Sequence, residues 1–171
     1  MIKWTLRILL LLFGVGLVYY FLPENDLPTD KKIDKLIVIK SHRTMEAYSD
    51  GKLIKTYKVS LGQTPLGDKQ FQGDKRTPEG EYRINDKNPN SGFHKNLGVS
   101  YPNAMDIQEA KGKGLDPGGE IKIHGLRNGV GFIGKFHRLF NWTAGCIAVT
   151  DKEIDELYKS VDLGTTIIIR P

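Results

Sequence analysis

The sequence has one cysteine, Cys146, so it can form no internal disulfide. It has no C-x-x-C or H-x-x-x-H pair, which leaves a structural metal site without its usual close ligands. It also has no internal repeat, no low-complexity tract and no basic-aromatic stripe, which argues against solenoids, disordered chains and nucleic-acid binders. At 171 residues there is room for one ordinary domain plus a short appendage. The 19 glycines and 8 prolines favour a turn-rich, strand-rich body over a helical bundle. A net charge of +5 is spread along the chain and reads as a lysine-rich soluble surface with some attraction for anionic polymers or headgroups.

Charge is missing altogether from Ile8 to Leu22, and the apolar stretch reaches about 19 residues if it is counted from Trp4 through Arg7. That length crosses a bilayer as a helix, with Arg7 snorkelling to the interface. Lys3 and Arg7 precede the segment while Glu24 and Asp26 follow it, so the positive-inside rule exports the remainder. Small residues in an A-x-A pattern are lacking where it ends, at Tyr19-Tyr20-Phe21-Leu22-Pro23, which predicts a retained anchor. Residues 1–34 are expected to be anchor and linker, the linker being the polar stretch 23–34, and residues 35–171 the folded body.

Within the body, Leu36 to Ile39 reads as a buried strand. Met45 to Tyr48 and Leu53 to Leu61 read as a hairpin about Ser49-Asp50-Gly51, with Leu53, Lys55, Tyr57, Val59 and Leu61 on one face. Tyr82 and Ile84 suggest a further strand, and residues 85–119 read as loop-rich. In Glu120 to Gly125, Ile121 and Ile123 share a face while Lys122 and His124 take the other. Thr150-x-x-Glu153 is a capping box for a helix carrying Ile154, Leu157, Tyr158 and Val161, with Gly164 as its stop and Thr165 to Ile169 as a final strand. The balance is mainly β, a sandwich or open barrel with one or two helices.

Chemistry concentrates on Cys146. Gly145 before it permits a sharp turn and lets consecutive N–H groups face a developing oxyanion. A thiol needs a neighbouring base or cation, and His124, on a strand end, is the best placed. Two alternatives stay open on spacing alone: a small buried apolar thiol, and a zinc site built from His124, His137 and Cys146. Trp142 suits stacking on substrate or loop packing, and Thr143 a hydrogen bond in the loop or to substrate. His137, His42 and His94 read as surface or packing histidines, and Phe93, Ser100, Tyr101 and Pro102 as one wall of a groove. Asp151, Glu153, Asp155 and Glu156 suit the macrodipole of the helix they begin.

Taken in order, Ile123-His124-Gly125, the spacer and Thr143-Ala144-Gly145-Cys146-Ile147 resemble the active-site signature of the L,D-transpeptidase catalytic domain, the YkuD-type fold. Gly73-Asp74-Lys75-Arg76-Thr77-Pro78-Glu79-Gly80-Glu81-Tyr82 is similar to that family's upstream segment, and the loop from Asn141 to Thr150 is closer to a wall-associated subgroup. The resemblance covers about residues 35–171. It implies a Cys146–His124 pair acting on peptidoglycan stem peptides without metal or organic cofactor and without nucleic acid. The Gly125 carbonyl would orient the imidazole, and the N–H groups of Gly145 and Cys146 would hold the oxyanion. Many members carry a histidine and an arginine where this chain has Ala144 and Ala148, which bears on whether an amine or water resolves the acyl-enzyme. A hydrolase of the same fold and a non-catalytic wall-binding module are the rival readings.

The charge asymmetry about the apolar segment makes topology testable. Alkaline carbonate extraction should leave the chain in the membrane pellet, and protease added to spheroplasts should remove the body. A protected body would reverse the assigned orientation.

Overall fold

A computed structural model describes residues 2–28 and 30–171. The apolar segment forms α1 (Ile2–Phe21), long and apolar enough to cross a membrane over Lys3–Phe21. The body is built on β1 (Ile33–Ile39), β2 (Thr44–Ser49), β3 (Lys52–Lys58), β4 (Gly80–Ser91), β5 (His94–Val99), β6 (Lys122–His124), β7 (Ile147–Ala148) and β8 (Val161–Arg170). Helices α2 (Ala104–Gly112) and α3 (Asp151–Ser160) and a 3-10 segment (Gly131–Leu139) complete it.

The eight strands make one sheet in the order β3-β2-β1-β8-β4-β5-β6-β7. Strand β8 returns parallel to β1, and β4 joins the halves, pairing with β8 over Gly80–Arg83 and with β5 from Ile84 onward. The sheet curls into a half-barrel, and its two edges then meet. Just past β3, Ser60 exchanges backbone hydrogen bonds with Ala148 of β7, at 2.9 and 2.8 Å. Thr143 likewise donates to the Leu61 carbonyl at 3.1 Å. A twisted sheet closes on itself this way and leaves no open edge at the join.

Alternating side chains fill the interior. Leu36 and Val38, Met45 and Ala47, Tyr82 and Ile84, and Ile167 and Ile169 are buried pairs two residues apart, as a strand with one inward face requires. Ile154 and Leu157 of α3 enter the same core. The α3 N-terminus is the expected capping box: Thr150 Oγ1 accepts from the Glu153 N–H, and Glu153 accepts from the Thr150 N–H.

The sequence pattern misplaces three features. Residues 85–119 are not mainly loop: they hold most of β4, all of β5 and α2. This hairpin is polar, and Pro89 sits in the register irregularity between Asn88 and Ser91, where no ladder N–H is required. Helix α3 ends at Ser160, before Val161 and Gly164. The Val161 N–H closes the helix on the Leu157 carbonyl while its backbone is already extended, and Gly164 (φ 87°) lies within β8. Leu53 is exposed because the β2–β3 register shifts between Ala47 and Tyr48, whereas Tyr57, Val59 and Leu61 are buried as expected.

The stretch between α1 and β1 lies against the body. Leu27 is buried, Glu24 pairs with Arg138 at 2.6 Å, and Asp26 meets Lys152 at 2.5 Å. Arg138 also binds Glu153 at 2.8 Å, so one buried guanidinium ties the incoming chain to α3.

Thr150→Ala removes the α3 cap without touching the core. Urea unfolding should show a loss of about 1 kcal/mol with an unchanged m-value.

Candidate active site

His124 ends β6 and Cys146 immediately precedes β7. These short strands pair in parallel, Ile123 against Ile147 and His124 against Ala148. The register sets the thiol beside Lys122, two residues before the histidine. Both side chains line one pocket of about 520 Å³, together with Phe93, Asn96, Lys122 and Trp142. Thr143 and Ala144 line it as well.

The imidazole is buried, held by rings on two sides: Phe93 at 4.7 Å and Trp142, edge-on, at 5.7 Å between centroids. Its Nδ1 lies 2.7 Å from the Gly125 carbonyl oxygen. A carbonyl only accepts, so Nδ1 carries the proton and Nε2 keeps its lone pair. Gly125 has no room for a side chain, since a Cβ there would stand 2.7 Å from an Asp151 carboxylate oxygen. That same oxygen accepts from the Leu126 N–H at 2.7 Å. Asp151 therefore fastens the turn after His124, a task the sequence does not announce.

The cysteine turn is built from both sides. Thr143 Oγ1 accepts from the Gly145 N–H at 3.1 Å and donates to the Cys146 carbonyl at 2.7 Å. Gly145 has φ 134°, and a Cβ there would meet the Arg76 carbonyl oxygen at 2.7 Å. The 73–82 segment thus lies directly behind the turn. It is braced in turn by Thr77, whose Oγ1 accepts from the Gly62 N–H at 3.0 Å, and by Asp74, which pairs with Lys69 at 2.8 Å. The Gly145 N–H, expected to face an oxyanion, is already used by Thr143 within the turn.

Electrostatics keep the pair neutral. Burial raises the Cys146 thiol above its ordinary value, against the opposing pull of the Lys122 N–H and ammonium. Burial also lowers His124, and the Lys122 charge adds to that, while the Gly125 carbonyl opposes it. The thiol points to the Glu120 carbonyl at 3.5 Å, and a neutral thiol sharing a pocket with a neutral imidazole suits proton transfer during attack rather than a standing thiolate.

Other expectations divide. Phe93 does line the pocket, but Ser100 accepts from the Arg83 N–H and Tyr101 donates to the Pro117 carbonyl, so both serve the fold. His94 pairs with Asp155 at 2.9 Å. Glu156 binds Lys55, so the acidic residues of α3 hold tertiary contacts as well as favouring its dipole. Ala148 is fully buried in the barrel-closing pair, and an arginine there would have to displace core atoms. Among the described residues no cluster of three or more His, Cys, Asp or Glu side chains could hold a metal. Sequence reasoning missed Asn96, which faces His124 across the β5–β6 ladder and is buried in the pocket wall.

His137 takes the packing role of the two expected of it and is 2% exposed behind Trp142. The indole N–H points to its Nδ1 at 3.4 Å, and Ser60 Oγ lies 3.3 Å from the same atom. Spacing alone carries no signal for this contact. Burial, helped by Arg138, pushes the His137 pKa down to about 3.

Comparisons with known proteins agree with this fold. The family model of the L,D-transpeptidase catalytic domain matches residues 34–169. YafK of Escherichia coli K12, a provisional L,D-transpeptidase, is 30% identical over 130 residues, covering 72% of this chain and 45% of YafK. YqjB of Bacillus subtilis 168, also provisionally named so, is 30% identical over 153 residues, covering 86% of this chain and 76% of YqjB. The crystal structure of Pgp2, a helical cell shape determining protein of Campylobacter jejuni, superposes with TM-score 0.61 at 26% identity. That match covers 82% of this chain and 48% of Pgp2. The chain therefore spans less than half the length of YafK and of Pgp2.

His137 gives a pH test. Its folded value lies below its unfolded value of about 6.5, so the unfolded chain takes up a proton first as pH falls. Stability should drop between about pH 6.5 and 3, with this residue contributing at most about 1.4 kcal/mol per pH unit. The acid limb of urea midpoints should be flatter in His137→Gln than in the wild type.

Proposed function

The chain belongs to the L,D-transpeptidase catalytic-domain family, and from that premise we propose a membrane-anchored cysteine acyltransferase acting on peptidoglycan stem peptides. The observation that carries this reading is the His124 tautomer: Nδ1–H is spent on the Gly125 carbonyl, which leaves Nε2 as a base in the pocket that Cys146 shares.

Cys146 Sγ attacks the carbonyl beside the terminal D-residue of a tetrapeptide stem, and its proton passes to His124 Nε2. The carbonyl π pair moves to oxygen. The Cys146 N–H is the donor for that oxyanion, because the Gly145 N–H is engaged by Thr143. On collapse the C–N bond breaks, His124 returns the proton to the departing amine, and a thioester remains. An acceptor amine then attacks the thioester, its proton moves through His124 to the sulfur, and an amide forms as the thiol is released. Phe93 and Trp142 flank the imidazole and keep water from its ring faces. Lys122 supplies positive charge at the pocket wall and pairs with the exposed Glu120 at 2.6 Å. It suits a substrate carboxylate, which Ala148 cannot clamp.

In this reading residues 1–34 anchor and tether the protein, and residues 35–171 form the catalytic body on the outer side of the cytoplasmic membrane. The cell-shape role of Pgp2 suggests wall remodelling as the biological setting. Hydrolysis is the second reading. It is favoured by Ala144, which is exposed at the pocket rim and offers no polar group to an acceptor amine.

The full chain in detergent, incubated with disaccharide-tetrapeptide, should gain the mass of an acyl adduct, and Cys146→Ala should not. His124→Gln should slow acylation by about 10²- to 10⁴-fold. Because His124 titrates below its usual value of 6.5, the acid limb of the wild-type rate profile should lie below that pH. Cross-linked dimer among the products means transfer, and tripeptide without dimer means hydrolysis. No adduct with any stem peptide from a folded chain would leave the wall-binding reading.

A further inference from the structure

The candidate span Lys3–Phe21 has 19 residues, which at 1.5 Å each reaches about 28 Å. A bilayer's hydrocarbon core is about 30 Å thick, so a helix of this length has no turn to spare. Its last residues must therefore lie within the outer leaflet rather than above it.

Those last residues are where the body begins. The Phe136 ring comes within 3.7 Å of where a Cβ on Gly16 would stand, and it packs on Tyr19 and Tyr20 at centroid distances of 5.9 and 5.5 Å. Tyr20 donates its hydroxyl to the Phe132 carbonyl at 2.8 Å, and the Lys135 ammonium reaches the Leu22 carbonyl. Gly16 lies five residues before Phe21, about 7.5 Å along the axis. The 3-10 segment Gly131–Leu139 is thus fastened alongside the part of α1 that must sit among lipid headgroups and upper acyl chains.

Its side chains divide accordingly. His137 and Arg138 turn inward and are buried. Phe132, Leu139 and Phe140 are 74, 66 and 63% exposed, and Leu139 shares a cleft with Tyr19. In water this is an unpartnered apolar surface. Beside the end of a membrane helix it has the makings of an interfacial element, with the body polar and the outward rings apolar.

We propose that Gly131–Phe140 inserts into the outer leaflet beside α1, with Phe132, Leu139 and Phe140 entering the lipid interface. The body is then held against the membrane in one orientation instead of swinging on a linker. Phe140 lies two residues before Trp142 of the pocket, so insertion would bring that wall of the site near the bilayer surface. The inference rests on the anchor reading above.

The test uses the full chain in phosphatidylcholine vesicles, on a Cys146→Ala background, with single cysteines carrying an environment-sensitive fluorophore. Positions are Phe132→Cys and Phe140→Cys in the segment, Leu11→Cys in mid-helix and Leu163→Cys as control. Leu163 is exposed and lies seven residues, about 20 Å, from Arg170, the end of β8 that neighbours the anchor through Ile39 and Thr44. Nitroxide-bearing lipid should quench the labels at 11, 132 and 140, with blue-shifted emission, and spare 163. Quenching at 11 with the 132 and 140 labels as wet as 163 would overturn the insertion and leave the anchor standing. A wet label at 11 would remove the anchor reading and this inference with it. Equal quenching at all four positions would overturn the single orientation.

Discussion

The backbone exchange between Ser60 and Ala148 is the constraint on which the rest of this molecule hangs. It joins the last residues after β3 to β7, the outermost strands of an otherwise open sheet, and so turns a curled sheet into a closed wall. Strand β7 has only two residues and would not hold a position on its own. Paired with β6 on one side and Ser60 on the other, it cannot slip, and Cys146 directly before it is placed as firmly as a residue in a long strand. The glycine-lined contacts then follow. Gly62 and Gly145 both approach the 75–76 backbone closely because closure brings three chain segments together where no side chain fits.

The site combines rigid backbone with low polarity. Every group that orients His124 is itself oriented: its proton by the Gly125 carbonyl, the following turn by Asp151, and Asp151 by the first turn of α3. Burial disfavours the charged form of each, so no ion pair is stored between them. Trp142 in turn rests on His137, a buried neutral histidine that cannot take up a proton without losing its place. The edge-to-face succession of His124, Trp142 and His137 couples the wall of the pocket to the barrel-closing residue Ser60.

The Arg138 guanidinium joins this frame to the chain that leaves α1. It draws Glu24 and Glu153 together: the guanidinium and Glu153 are buried, while Glu24, which it meets with a bidentate, charge-assisted contact, stays exposed. The chain leaving α1 is thereby clamped to the helix that Thr150 caps and whose Asp151 fastens the histidine turn. A polar stretch with two prolines was expected to act as a tether, yet the ion pairs at Glu24 and Asp26 and the burial of Leu27 remove most of its freedom.

Period and local chemistry made much of this legible in advance. The apolar run of α1, the inward alternation of β1, β4 and β8, and the Thr150–Glu153 box are short-range patterns whose stabilising partners lie within a few residues. The ordered His-Gly and Gly-Cys pairs marked His124 and Cys146 for the same reason: each motif carries its own turn. What sequence could not decide were contacts made across the chain. The β4–β5 hairpin has no apolar period to announce it, because its tip, from Asn85 to Asn96, is built mostly of polar residues held by the ladder between the two strands. His137 sits 77 residues from Ser60, and Asp151 reaches back 25 to Leu126. Local sequence determined which segments could turn, cap or bury a face. Only the closure of the barrel decided which of them meet, because the hydrogen bonds that close it join residues that nothing but the fold brings together.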